Sequence, residues 1–285
     1  MKQAFFFYAN PYQPRCISAA RALLEALEHK NCVIYSDRFL AANGVGQEAE
    51  KGELPENVRA MVAFGGDGTL LTAAPIAVAR GLPMLGVNTG TVGFLMDGRA
   101  EDPEATAEAL TAPQYRTEKC PLLEVRYDGK TYLALNDLSL TRGEHPGVIE
   151  TTVLADGERV LGAHGDGVVV ATPLGSTAYA LSSGGPIVRP DTQCLTVTAI
   201  AARELLLRPV ILPLNARITL LAHGRDRRRL QLAVDGQTLL PVTEEARIDL
   251  SVSDRQALLI RPEGQRFFAT LRRKQRIWNQ DEEQE

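Results

Sequence analysis

Gly65-Gly66-Asp67-Gly68-Thr69 joins residue types suited to handling a phosphate. Glycines let the backbone come close to an anion and expose its N–H groups. A helix starting just after them would add partial positive charge. An aspartate among these glycines repels a phosphate, so phosphate binding alone does not explain it. It fits a site that must accept a proton from a hydroxyl during phosphoryl transfer, or organise a metal. Gly and Asp also favour plain turns, so this segment taken singly leaves both readings open.

Further polar clusters follow. Asn88-Thr89-Gly90 and Gly93-Phe94-Leu95 form a second loop with tight-turn glycines and a hydroxyl donor, or a simple connection anchored by Phe94. Asn136-Asp137 interrupts an apolar run from Tyr132 to Leu140. Buried polar groups need partners, so this pair marks a β-bulge or a nucleoside contact. His164-Gly165-Asp166-Gly167 reads as a loop before the strand 168–171, with acid–base or purely structural use. Thr172-Pro173-Leu174-Gly175-Ser176-Thr177-Ala178-Tyr179 is rich in hydroxyls. It reads as a polar cradle for a ribose or amide, with Ser182 on the same helix, or as a helix capped by Ser176 or Thr177. Asp235-Gly236-Gln237 is most simply a hairpin turn. No GxSxG is present, which argues against a serine hydrolase. The four histidines share no spacing, and a zinc centre is not expected.

The elements that must carry these residues change character along the chain. Apolar runs at 4–9, 33–35, 58–64 and 83–87 alternate with helical periodicity at 17–27 and 70–80. Gly81 suits the end of the second helix, and Pro75 then belongs in its first turn or kinks it. Segment 41–57 reads as a surface connection. The alternation predicts a parallel sheet, with ligands outside the carboxyl ends of its strands, where both Gly-rich loops fall. A further helix is expected over 102–112. Beyond it, strand-like runs at 122–127, 131–135, 195–200, 217–222, 230–234, 248–252 and 257–260, with hairpin signals at Asp128-Gly129, Asp156-Gly157 and Asp235-Gly236, predict a β-sandwich or meander. A closing helix over 267–278 returns to the first domain. The expected division is an α/β domain over 1–98, completed by 265–285, and a β-rich domain over 99–264.

Composition narrows the class. The chain has 285 residues, 45% of them hydrophobic, enough for a sizeable core. Its formal net charge of −4 gives no basic footprint for duplex nucleic acid. The short basic runs at 225–229 and 272–276 read as a hairpin end and a chain end. The four cysteines form no CxxC pair, which fits a reducing compartment. No apolar run reaches the roughly 20 residues of a membrane span, and the start is too short for a signal peptide. A cytoplasmic protein is expected, with no membrane partner.

Taken together, GGDGTLL at 65–71, NTGTVGFL at 88–95, ND at 136–137, HGDGVVVATPLGSTAYALSSGGP at 164–186 and DGQ at 235–237 resemble the NAD kinase family. Order and spacing match over most of the chain. GGDGT alone is shared with diacylglycerol-kinase-like lipid kinases; the later motifs are far more specific. The resemblance implies an α/β domain with a Rossmann-like parallel sheet, a β-sandwich domain, and the ligand between them. It implies transfer of the terminal phosphate of ATP, or of polyphosphate, to the 2′-hydroxyl of the adenosine ribose of NAD. A divalent metal, usually Mg2+, and a homodimer or homotetramer come with it. By match, Asp67 is the proton acceptor and Gly68 lies beside it at the nucleotide. Asn136 and Asp137 match the pair contacting adenosine. His164, Asp166, and Thr177, Ala178, Tyr179, Ala180, Leu181 and Ser182 match further NAD contacts, as do Ala201 and Gln237. No protein metal ligand is assigned.

Three departures stand out. The family's usual NE is ND here. Thr72 occupies a position often basic in relatives. The loop through Arg142 and His145 offers no assigned basic NAD contact. Two other functions fit parts of the pattern: a lipid kinase, and a non-catalytic NAD(P)-binding regulator, against which Asp67 argues.

Overall fold

The computed structural model describes residues 2–50, 53–90, 93–144, 147–223, 230–242, 246–262 and 267–282. The basic run at 225–229, Thr91, Val92 and His145 lie outside the described residues. The chain divides into two compact units, one of residues 1–119 with 257–285 and one of residues 120–256.

The first unit runs β1 (Ala4–Ala9), α1 (Arg15–His29), β2 (Val33–Ser36), α2 (Arg38–Ala42), β3 (Gln47–Glu48), β4 (Val58–Gly65), α3 (Asp67–Ala79), β5 (Met84–Asn88), β6 (Gly98–Arg99) and α4 (Pro103–Thr111). The strands pair in parallel in the order β3-β2-β1-β4-β5, with β6 also on β5. All six residues of β1 are buried. Near-continuous apolar runs are what a parallel sheet needs, because helices cover its faces. Phe5, Phe7, Phe64 and Leu85 from the sheet pack with Leu23 and Leu27 of α1 and Leu110 of α4.

Two expectations change here. Helix α3 begins at Asp67, not Leu70, so Pro75 lies inside the helix and not in its first turn. The connection over 41–57 contains the end of α2 and the short β3, with Val45 and Leu54 buried. The end of α3 is as expected. Gly81 sits at φ +62°, its N–H donates to Val78 O, and Leu82 N–H donates to Ala77 O, a Schellman closure.

The second unit is antiparallel. Its elements are β7 (Thr117–Tyr127), β8 (Lys130–Ala134), β9 (Asp137–Thr141), β10 (Ile149–Ala155), β11 (Glu158–Gly165), β12 (Gly167–Ala171), a 3-10 turn (Leu174–Thr177), α5 (Tyr179–Ser182), β13 (Cys194–Ile200), β14 (Val210–Pro213), β15 (Ile218–His223), β16 (Leu230–Val234), β17 (Thr238–Val242) and β18 (Arg247–Ile260). One sheet has the order β14-β13-β12-β9-β16-β17, and β11-β10-β15-β18 form the other. Leu138, Leu140, Val168 and Val170 of the first meet Val153, Leu161, Leu220 and Ile248 of the second in one core, as a sandwich requires. The hairpin signals hold: Asp128, Asp156 and Asp235 have φ of +50°, +51° and +51°, and Gly129, Gly157 and Gly236 follow at positive φ.

Four readings are corrected or refined here. The runs at 248–252 and 257–260 are one strand, β18, whose exposed Asp254-Arg255-Gln256 stays extended. Asn136-Asp137 is not a bulge. Strand β8 pairs with β7 in one sheet, while β9 pairs with β12 and β16 in the other, so Asn136 marks the change of sheet. His164 lies within β11, not in a loop. The change of unit comes at 119/120 and 256/257, against the expected 98/99 and 264/265, because α4 packs on α1 with the first core. From Ala257 onward the chain belongs to the first unit, as does α6 (Phe267–Glu282). Among the described residues, no helix is long and apolar enough to cross a membrane.

Candidate active site

In the first unit, the carboxyl ends of β4 and β5 lie side by side, with Gly65 in register with Asn88. Thr89 N–H donates to Gly65 O at 3.1 Å, which ties the two Gly-rich loops together. Gly66 precedes α3, and Asp67 and Gly68 are its first two residues. An acidic residue in the first turn suits the positive end of the helix. The Asp67 carboxylate accepts Phe94 N–H at 2.9 Å on one oxygen and Leu95 N–H at 3.0 Å on the other. Those amides belong to the second loop. Gly93 is there for space: a Cβ on it would lie 2.1 Å from Asp67 Oδ1.

Two cations complete this cluster, and sequence reasoning assigned neither. Lys274 of α6 places Nζ 3.7 Å from Asp67 Oδ2 and 4.5 Å from the Phe94 ring centre. Arg261 is buried; its guanidinium meets Glu118 at 2.8 Å, Asp97 at 3.2 Å and Phe94 O at 3.4 Å. It thereby fastens the loop whose amides hold Asp67. Lys274 lay within a basic run that looked like a chain end, and only the return of α6 reveals its role.

In the second unit, the sequence-predicted residues gather in two groups. The first surrounds Asn136 and Asp137, both buried. The Asp235 carboxylate accepts N–H groups of Leu135, Asn136 and Asp137 at 2.8, 2.7 and 3.1 Å. The local sequence marks Asp235 as a hairpin residue. It is that, and it also clamps the switch between sheets. Thr172 binds the same link, donating from N–H to Asn136 O and from Oγ1 to Leu135 O. Gly175 passes so close that a Cβ would lie 2.0 Å from Asn136 O. The Asp137 carboxyl is pushed up to about 7, chiefly by burial and then by the Asp235 charge, while a hydrogen bond from the Tyr179 backbone opposes this. Burial also raises Asp235, against its three amide donors. The Asn136 side-chain oxygen is buried and has no hydrogen-bond partner among the described residues. Buried amide oxygens are seldom left so, and a ligand donor would satisfy it.

The second group joins β11, β12 and the end of β13. Asp166 N–H donates to Ile200 O, and Gly165 packs against the carbonyls of Ile200 and Ala201. Ala201 has φ +47°, unusual for alanine. Arg142 Nε donates to Asp166 Oδ1 at 2.8 Å. His164 Nδ1 lies 2.9 Å from Glu204 Oε1, and the hydrogen bonds from His164 hold the Glu204 carboxyl below its usual range. Between the groups, Ala180 packs on Val169, Ala171 and Ile200. Thr177 ends the 3-10 turn, Ala178 joins it to α5, and Tyr179, Ala180, Leu181 and Ser182 form that helix. Neither Ser176 nor Thr177 caps α5: Ala178 precedes it without a side-chain cap. The Ser176 hydroxyl instead donates to Val188 O and accepts Val188 N–H. Gln237 and Ser182 are exposed.

Residues 5–115 match the ATP-NAD kinase N-terminal domain, and residues 135–262 match the ATP-NAD kinase C-terminal domain. The chain is 31% identical to an NAD kinase of Geobacter metallireducens over 94% of its own length and 96% of the relative's. It is 33% identical to an NAD kinase of Heliobacterium modesticaldum, covering 93% and 95%. Its fold is similar to the crystal structure of yeast NADH kinase complexed with NADH (TM-score 0.83, 23% identity, 95% of this chain and 86% of that one). It is also similar to an NAD kinase from Archaeoglobus fulgidus in complex with ATP (TM-score 0.75, 24% identity, 95% and 99%). Both domains match in order and the relatives align almost end to end, so this chain belongs to the NAD kinase family.

Proposed function

We propose that this chain phosphorylates NAD to NADP, moving the terminal phosphate of ATP, or of polyphosphate, to the 2′-hydroxyl of the adenosine ribose. The observation that carries the reading is Asp67, set at the start of α3 within the glycine loop and held by two backbone amides. In that reaction the 2′-oxygen attacks the terminal phosphorus, the bridging oxygen leaves with ADP, and the hydroxyl proton goes to Asp67. Each Asp67 oxygen keeps a lone pair beyond the amide it binds, so the fixed carboxylate still accepts a proton. Fixing it in place lowers the entropy of reaching the reactive geometry.

Asn136, Asp137, His164, Asp166, Ala201, Gln237 and the stretch from Thr177 to Ser182 would bind NAD. The side-chain oxygen of buried Asn136, without a partner among the described residues, supports this for the adenosine part. Among the described residues, no group of three or more His, Cys, Asp or Glu could hold a metal. The Asp67 carboxylate is a suitable single donor for a hard cation such as Mg2+, which the donor phosphates would carry. When bound, the ion neutralises phosphate charge. The cysteines Cys16, Cys32, Cys120 and Cys194 are free and buried, which supports a reducing, cytoplasmic setting. A homodimer or homotetramer belongs to this reading, and a monomer mass in light scattering would count against it.

The test is NADP formation by the purified protein from NAD, Mg2+ and ATP, with polyphosphate in a parallel reaction. Product in either confirms the activity and names the donor. Folded protein that binds NAD without making NADP would be the non-catalytic regulator, and protein that binds no NAD would next be tried on lipids.

A further inference from the structure

Thr72, five residues beyond Asp67 on α3, has no charge to offer a donor phosphate. Its hydroxyl donates to Gly68 O at 2.9 Å and so serves the helix backbone. The only lysine ammonium placed at Asp67 among the described residues comes from the far end of the chain. Lys274 sits on α6 with a side chain 19% exposed. Its Nζ is 3.7 Å from Asp67 Oδ2, near enough to feel the charge but beyond hydrogen-bond distance. Cation–π contact with Phe94 holds it over that ring at 4.5 Å. Phe94 in turn lies 6.0 Å from Phe267 at the start of α6, so one aromatic anchors both the helix and the ammonium.

We infer that Lys274 is a catalytic residue that binds the terminal phosphoryl group of the donor. The inference rests on the kinase reading above and names a donor-binding group for it. An ammonium has three donors and no acceptor, and this one makes no hydrogen bond among the described residues. It is largely withdrawn from water, so an arriving phosphate oxygen meets a charge that is weakly screened. Asp67 is the first residue of α3, directly after the glycine loop, so a phosphate drawn to that helix start would arrive beside this ammonium. In the transfer, the ribose 2′-oxygen forms its bond to the terminal phosphorus as the bond to the bridging oxygen breaks. The proton goes to Asp67, ADP departs, and Lys274 keeps its protons while donating hydrogen bonds to a non-bridging oxygen. Its shift toward the phosphate also leaves Asp67 less neutralised at the moment it must accept a proton.

The alternative role is local: Lys274 offsets the Asp67 charge and touches no substrate. Lys274→Met and Lys274→Arg separate the two. Each is checked for fold by circular dichroism and for NAD affinity by calorimetry. Each is then assayed for kcat and for KM toward ATP, and titrated with Mg-ATP and Mg-ADP. We expect Lys274→Met to lose about 10²–10³-fold in kcat/KM for ATP and to lose its preference for ATP over ADP, with NAD affinity unchanged. Lys274→Arg should recover part of both. A Lys274→Met protein that keeps the ATP preference and shows only a shifted pH–rate profile would overturn the inference. So would equal losses in the Met and Arg variants with ATP binding intact. Failure of the unaltered protein to make NADP is a different result: it removes the kinase reading, while the ATP against ADP titration still reports on Lys274.

Discussion

Replacing Asp137 by Asn should reshape the pH dependence of stability. Asp137 is 5% exposed and lies beside Asp235. Its carboxyl moves from 3.8 to about 7 on folding, by burial first and the Asp235 charge second. At about 1.4 kcal/mol per unit, that difference is worth roughly 4 kcal/mol. The direction follows from proton counts. Below pH 3.8 both states hold the proton and the contribution is complete. Between there and about 7 the unfolded chain has released it and the folded chain has not, so stability falls as pH rises. Asparagine has no such proton and can still accept the Tyr179 N–H. Urea unfolding of both proteins, followed by circular dichroism from pH 4 to pH 8, should show the unaltered protein losing up to about 4 kcal/mol relative to the variant. The two acids form a coupled pair, so the difference curve reports their joint titration. Parallel curves, within about 1 kcal/mol across the range, would refute the claim that burial holds this pair partly protonated.

Asp67→Asn should keep the unfolding midpoint and lose about 10²–10⁴-fold in kcat; near-normal turnover would remove Asp67 as proton acceptor. Gly93→Ala puts a Cβ 2.1 Å from Asp67 Oδ1, so the carboxylate must move, and about 10²-fold of kcat should go with it while the fold persists. Gly175→Ala meets backbone at 2.0 Å, where nothing flexible can yield, and urea titration should show a loss of about 1–3 kcal/mol. Arg261→Met removes from beside Asp97 and Glu118 a charge whose side chain is 7% exposed, and should cost about 3 kcal/mol of stability by the same measurement.

Local chemistry carried much of this protein in plain view. The apolar runs of β1 and β4 read as buried parallel strands because a sheet covered on both faces needs no alternation. The three Asp-Gly pairs read as hairpins because two successive left-handed residues need such types. GGDGT placed Asp67 at a strand-to-helix junction for the same kind of local reason. Contacts between distant segments were a different matter. Asp235 looked like a turn residue, since nothing in its neighbours tells that its carboxylate will bind three amides of residues 135–137. Asn136 left a bulge and a nucleoside contact both open, because a change of sheet is visible only in what β8 and β9 pair with. Gly93 looked like a turn glycine, and its use is the room it leaves for Asp67. Lys274 looked like part of a charged tail until α6 brought it to Asp67. The sequence by itself therefore determined the strands, hairpins, family motifs and the aspartate in the glycine loop, since propensity and periodicity act between near neighbours. Tertiary structure alone decided which groups clamp those motifs and which cation meets Asp67, because those partners are joined only by the closing of long stretches of chain.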